Sequence, residues 1–291
     1  MELHDKTVII NGTKDAILKS EQIGSISDYY IDELAYLLAL NSEDADSFLA
    51  LYNEIMPQIL PQNIPTLTRT QFLSKICTAL CKHLTSKGVN VSLADFFEAE
   101  ETSSDTVVYV KSAISDEAYM KFAKAVNNAA VSYAQSFPAA CEEVYYGRAD
   151  FCILPYENSA EGSLSGFAQL MRKYELYKQC VCTCKSPNGN TKMALVSRAP
   201  CMLVPPQNEK IFLKITFFSP KRQTISNVSA CAETLSLDTV KLESIPLSFD
   251  DGRYGHELTF CGELADIIPF LLFISLEVPE CSDKEIFFEI K

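Results

Sequence analysis

The order of apolar and polar positions divides the chain into three stretches. To about residue 101, apolar side chains recur at helical spacing. Ile31, Leu34, Leu37 and Leu38 share one face, and so do Phe48, Leu51, Tyr52 and Ile55. Ser42 before Glu43 and Asp44 predicts an N-cap with acids in the first turn. The proline-punctuated stretch "MPQILPQNIP" predicts a break. Thr68 and Gln71 then stand at capping-box spacing, Phe72, Ile76 and Leu80 continue a stripe, and Gly88 predicts its end. The acidic run "EAEETSSD", Glu98 to Asp105, reads as a linker.

From 106 to 199 the period changes repeatedly. "TVVYV" predicts a strand, "SDEAYMKFAKAV" a helix capped by Ser115, "ADFCILP" a strand, and Gly162 to Tyr174 a helix. "LYKQCVCTC" and "TKMALVS" predict two strands joined by the turn "KSPNGN". This is an α/β unit of three layers with a terminal hairpin. From 209 to 291 the order is strand, helix, strand, strand, helix, strand, with "DIIPFLLFISL" as a helix broken near Pro269. That order predicts a ferredoxin-like sandwich, so the fold class is mixed α/β and α+β.

Composition narrows the function. The chain has 291 residues, 47% apolar and 22% charged, the profile of a globular protein. Its formal net charge of −13 argues against nucleic acid, whose phosphates it would repel, but leaves room for a small anion held by local Lys or Arg. The first residues show no basic start followed by an apolar segment, and "IIPFLLFISL" is too short to span a bilayer. The expected location is therefore the cytoplasm, with no membrane partner. Eleven cysteines scattered in apolar patterns fit reduced, buried thiols. Cys180, Cys182 and Cys184 alternate onto one strand face, and Cys77 and Cys81 share a helix face; neither set has metal-ligand spacing. With three scattered histidines, no metal and no cofactor are expected.

One stretch carries candidate chemistry. In "FPAACEEVYYGRADFCILPYENSAEGSLSGFAQLM" a buried strand runs into Pro155, then Glu157, Asn158 and Ser159, then Gly162 and Ser163. Those three polar residues are open to two readings, an anion site or a junction whose side chains cap the following helix. The stretch resembles the end of the first lobe of prephenate dehydratase, which shows Pro-x-Glu-Asn-Ser with Gly-Ser downstream. "KLESIP" resembles the Glu-Ser-Arg-Pro motif of the ACT domain that follows in that family, with Ile245 in place of the arginine. The resemblance covers roughly 106 to 291.

It implies three parts. Residues 1–101 would be a helical unit, in the place of the chorismate mutase domain of bifunctional relatives but with Arg69 as its one arginine. Residues 106–199 would be a truncated lobe of periplasmic-binding-protein type, and 209–291 an ACT-like domain. Thr191 would help the hydroxyl leave, and Glu157, Asn158, Ser159 and Lys192 would hold substrate. Lys221, Arg222, Glu243 and Ser244 would contact a ligand of the ACT domain. The departures are specific. "VKSAISDEAY" lacks the family's glycines, Lys192 replaces the arginine of Thr-Arg-Phe, and only "RKYELYKQCVCTCKSPNGN" stands where a second lobe would lie. A lysine offers a point charge without the planar fork. The expectation is a non-catalytic relative, a pseudoenzyme that senses a small aromatic-pathway ligand such as an amino acid or prephenate. Alternatively it serves a partner enzyme, and it is expected to form a homodimer through the ACT domain. The rival is an active dehydratase whose cleft another subunit or the helical unit completes.

Overall fold

The computed structural model describes residues 3–23, 28–40, 45–60, 64–97, 106–127, 129–186, 189–201, 203, 205, 209–218, 221–246 and 254–291. The chain opens with helices α1 (Leu3–Ile23), α2 (Asp28–Leu40), α3 (Ala45–Ile59) and α4 (Thr66–Ser86). Strand and helix then alternate through β1 (Thr106–Val110), α5 (Ala113–Phe122), β2 (Ala130–Ala134), α6 (Phe137–Tyr145) and β3 (Phe151–Asn158). After these come β4 (Gly162–Ser163), α7 (Ser165–Lys173), β5 (Tyr177–Ser186) and β6 (Gly189–Ser197). The last stretch is β7 (Ile211–Phe218), α8 (Arg222–Thr234), β8 (Asp238–Pro246), β9 (Tyr254–Gly262), α9 (Leu264–Glu277) and β10 (Cys281–Ile290). Among the described residues this is a mixed α/β fold of ten strands and nine α-helices.

By contacts the chain forms two compact units, neither contiguous in sequence. One joins Met1–Ser92 to Phe217–Ser282, and the other joins Leu93–Thr216 to Asp283–Lys291. The segment 209–291 keeps its expected β-α-β-β-α-β order, but its middle belongs with the leading helices.

In the first unit α4 packs against α2, α8 and α9. Phe72, Ile76 and Leu80 of α4 are fully buried, as are Leu34 and Leu38 of α2. Ser74 Oγ lies 3.0 Å from Cys231 Sγ inside this core. Tyr52 donates its hydroxyl proton to Glu277 Oε1 at 2.6 Å, and Arg69 Nη2 stands 3.2 Å from Glu277 Oε2. Gly88, at φ +81°, follows the end of α4 as its spacing predicts. Thr68 is no cap: α4 starts two residues earlier, after Pro65, without a side-chain cap. The pattern breaks within the stretch 56–65 as expected, with α3 ending at Ile59 and α4 starting at Thr66, but the break expected near Pro269 does not occur. Pro57 sits in the last turn of α3, and Pro269 is buried within α9. A helix-interior proline costs roughly 3 kcal/mol. Burying Phe270, Leu271 and Ile274 of α9, at about 1.5–3 kcal/mol each, outweighs that. Ser42 to Asp44 and the acidic run 98–105 lie outside the described residues.

The second unit is a sheet of hydrogen-bonded order β2-β1-β3-β6-β5-β10-β7. β1 runs parallel to β2 and β3, while β6 runs antiparallel to both β3 and β5. Alternation along the strands builds two cores. Val107, Tyr109, Phe151, Ile153, Met193 and Leu195 face α5. Val108, Cys152, Leu154, Ala194 and Val196 face α6 and α7. Helix α5 is capped by Ser112, whose Oγ accepts the Ser115 N–H at 3.2 Å. The sequence placed the cap one turn too late, at Ser115, which is buried inside the first turn. The hairpin residues Pro187 and Asn188 lie outside the described residues.

Candidate functional site

The motif residues gather where β3 ends against the start of β6. The ladder between these strands carries a bulge between Pro155 and Glu157, so Tyr156 is the extra residue. Past the bulge Glu157 pairs with Lys192 and Asn158 with Thr191. Neighbouring residues of a strand point to opposite faces, so the two pairs are segregated. Thr191, two residues before Met193, lies on the α5 face with Asn158. Lys192 and Glu157 lie on the α6 and α7 face, with Tyr156.

Each polar group is engaged by a neighbour. Asn158 Nδ2 donates to Thr191 Oγ1 at 3.0 Å. Asn158 Oδ1 accepts the Ala160 N–H at 2.8 Å, which fixes the orientation of the amide. Ser159 Oγ accepts the Asn190 N–H at 2.9 Å, and the Ser159 N–H donates to the Asn190 carbonyl at 2.8 Å. Lys192 Nζ stands 3.2 Å from Glu157 Oε1, with the two side chains 40% and 38% exposed. Thr191 is buried, at 7% exposure, and its cross-strand partner on β5 is Cys184.

Local sequence explains the arrangement. Gly162, at φ +75°, lets the chain return as β4 against β3, pairing Asn158 with Gly162 and Glu157 with Ser163. The helix expected from Gly162 therefore begins only at Ser165. It has no side-chain cap, so the three polar residues do not cap it and instead fasten β3 to the β5–β6 hairpin. Gly189 makes this possible. Its φ is +113°, and a Cβ there would lie 2.3 Å from Ser159 Oγ. Gly189 and Asn190 belong to the site as well as to the turn that the sequence predicts. The signal was the "NGN" triplet itself.

The thiols beside the site are structural. Cys180, Cys182 and Cys184 line the α5 core, with Cys182 and Cys184 sulfurs 3.8 Å apart. Burial pushes all three thiols up, so they stay protonated. No group of three or more metal-ligating side chains occurs among the described residues.

The other expected residues have partners of their own. Lys221 Nζ lies 3.6 Å from Glu280, the Arg222 side chain is outside the described residues, and so are Ser219 and Pro220 of the same loop. Glu243 lies 2.8 Å from Lys241 Nζ, and Ser244 Oγ is 3.2 Å from His256 Nδ1. In the leading helices Arg69 meets Glu277, Lys75 meets Asp28 at 2.9 Å, and Lys87 donates to the Ala39 carbonyl at 2.7 Å. No described helix is long and apolar enough to cross a membrane.

No family model matches the sequence, and no curated protein matches it. Solved structures do. A prephenate dehydratase from Streptococcus mutans is similar at TM-score 0.47 and 17% identity, over 64% of this chain and 100% of that one. GqqA, described as a novel type of quorum quenching acylase, is similar at TM-score 0.45 and 19% identity, over 64% and 95%. A prephenate dehydratase from Arthrobacter aurescens in complex with L-Phe is similar at TM-score 0.43 and 12% identity, over 64% and 90%. At these identities no residue role passes from those proteins to this chain.

Proposed function

We propose that the chain is a non-catalytic relative of prephenate dehydratase that senses a small aromatic-pathway ligand, or regulates a partner enzyme, through its ACT-like segment. One observation carries the reading. The Asn158 amide and Thr191 hydroxyl are bonded to each other, while Lys192 is paired with Glu157 on the opposite sheet face. Loss of carbon dioxide from prephenate, with its ring hydroxyl protonated to leave as water, needs both anionic ends held together and bulk water excluded. A hydroxyl and a cation on opposite faces cannot hold one small dianion. The chain also passes from α7 through β5 straight into β6, with one strand between the motifs.

A second reading, an active dehydratase completed by another subunit or by the leading helices, draws on the retained and buried Thr191 hydroxyl. Incubation with prephenate, followed by phenylpyruvate absorbance in alkali, separates the two. No turnover above the enzyme-free control is expected; turnover that disappears in Thr191→Ala establishes the second reading. Sensing is tested by thermal shift with phenylalanine, tyrosine, prephenate and chorismate. A ligand at a hundred times its Kd adds about 2.7 kcal/mol to stability, a readily measured rise in Tm. If none of the four shifts the Tm, the sensor role fails and only the partner role stands.

A further inference from the structure

Strands β1 and β2 run parallel in a register that sets Tyr109 directly beside Tyr133. Their rings meet edge to face, with 5.3 Å between centroids and 88° between planes. Helix α5 covers the same side of the sheet and adds Tyr119, stacked on Tyr109 at 5.8 Å. Two of the three rings are locked by their hydroxyls. Tyr109 donates to Asp116 Oδ1 at 2.9 Å, and Tyr119 donates to the Ala129 carbonyl at 2.8 Å. Burial, with hydrogen bonds to Asp116 and Tyr133, pushes the Tyr109 hydroxyl up, so it stays a donor. Tyr109 is the buried floor of the group at 2% exposure, and Tyr133 its open outer wall at 56%.

Two charges at this corner of the sheet stay apart. Lys111 makes no ion pair among the described residues, yet its Nζ lies 4.9 Å from the centre of the Tyr133 ring. Asp116 has no cationic partner among them either, and its carboxylate accepts the Tyr109 hydroxyl instead. Its place in the first turn of α5 suits an acid by itself. That does not account for an ammonium resting on the exposed ring, where the attraction is to the ring face.

We propose that this corner is a binding site for a quaternary ammonium group of the choline class, taken on the Tyr133 face, with Lys111 as the internal cation that gives way. Aromatic rings grouped around an open face receive such cations through the negative face of the ring. A lysine ammonium is compact and strongly hydrated, so a methylated nitrogen gives up less on leaving water. Because Tyr109 and Tyr119 are already held by hydrogen bonds, little ordering is left to oppose binding. The net charge of −13 gathers cations of every kind, but a ring face separates a quaternary ammonium from sodium. The site lies beyond the sensor reading above and does not rest on it.

The test is an NMR titration of the full chain with choline chloride at constant ionic strength. The control is its neutral isostere, in which a carbon replaces the nitrogen. Choline is expected to bind, and the neutral alcohol to bind about fivefold or more weakly. Tyr133→Leu should weaken choline by about fivefold, whereas Tyr133→Phe keeps the ring face and should retain it. Asp116→Asn should weaken it by about threefold, and Lys111→Ala, which uncovers the ring, should tighten it by about threefold. An unchanged Tm guards each variant against loss of fold. Absent choline binding overturns the proposal, as does a neutral alcohol that binds equally well. So does binding that survives Tyr133→Leu unaltered, or that Lys111→Ala leaves unchanged or weakens.

Discussion

Two Lys–Glu contacts in the second unit use the same chemistry and differ in everything else. Lys192 and Glu157 meet at 3.2 Å with both side chains about two-fifths exposed, 40% and 38%. Glu285 of β10 is fully buried, with Lys214 Nζ at 2.6 Å and Lys178 Nζ at 3.9 Å. It also accepts the Lys178 backbone N–H, and Lys178 Nζ lies 4.0 Å above the Phe287 ring. An exposed pair is worth about 0–1 kcal/mol, because water screens it. Removing one partner of a buried set leaves uncompensated charge and costs about 3–5 kcal/mol. Breaking the pair inside the motif should therefore cost the fold little, while removing the buried carboxylate that no motif marks should cost it far more.

The largest effect that would break this contrast is at Glu285. Glu285→Gln should lose about 3–5 kcal/mol in denaturant unfolding, since Lys178 and Lys214 keep their charges while the buried carboxylate they share is gone. The effect should depend on pH. Burial alone would raise the Glu285 pKa, but Lys178 and Lys214 hold it below the ordinary carboxylate range. A depressed acid stabilises the fold above its unfolded pKa, and that contribution is lost as pH falls through the folded value. Asp283, raised by burial, works in the opposite sense in both proteins. The stability gap between wild type and Glu285→Gln should thus be full at neutral pH and close in acid. A gap that does not narrow in acid would remove Glu285 as the centre.

A middle effect is expected at Gly189. Gly189→Ala forces a Cβ against Ser159 Oγ at a backbone angle that L residues avoid, costing about 1–3 kcal/mol. Amide exchange at Asn190 should rise with it, because the Ser159 clasp opens. The smallest effect sharpens the comparison from the other side. A double-mutant cycle on Glu157→Ala and Lys192→Ala should give a coupling below about 1 kcal/mol that falls further in salt. A coupling of the size expected at Glu285 would erase the distinction.

Much of the fold was legible because burial on alternating faces writes itself into the strands. β1, β3, β5 and β6 were readable from their apolar runs, and the β-α-β-β-α-β order of the last stretch from its periodicity. β2 was not, because an edge strand with Ser132 and Tyr133 exposed shows no such run. Pro269 misled because local propensity yields to tertiary burial. At the candidate site the sequence names residues that the fold brings together, but it cannot show on which face each falls. That depends on one inserted residue, Tyr156, in a ladder whose partner strand lies more than thirty positions away. Glu285 was invisible for a related reason: Lys178 is 107 positions from it, and nothing near Glu285 in sequence announces the meeting.

The wedging of α4 against α8 and α9 has a practical corollary. Scissors applied at the borders of the three sequence stretches would free a C-terminal piece whose two helices had lost their own cover. Phe72 and Ile76 would go with the discarded part, and Cys231 would turn from an interior thiol into an exposed one. Dissection of this protein should therefore follow its interior, keeping the first ninety or so residues and the stretch around α8 and α9 on the same piece.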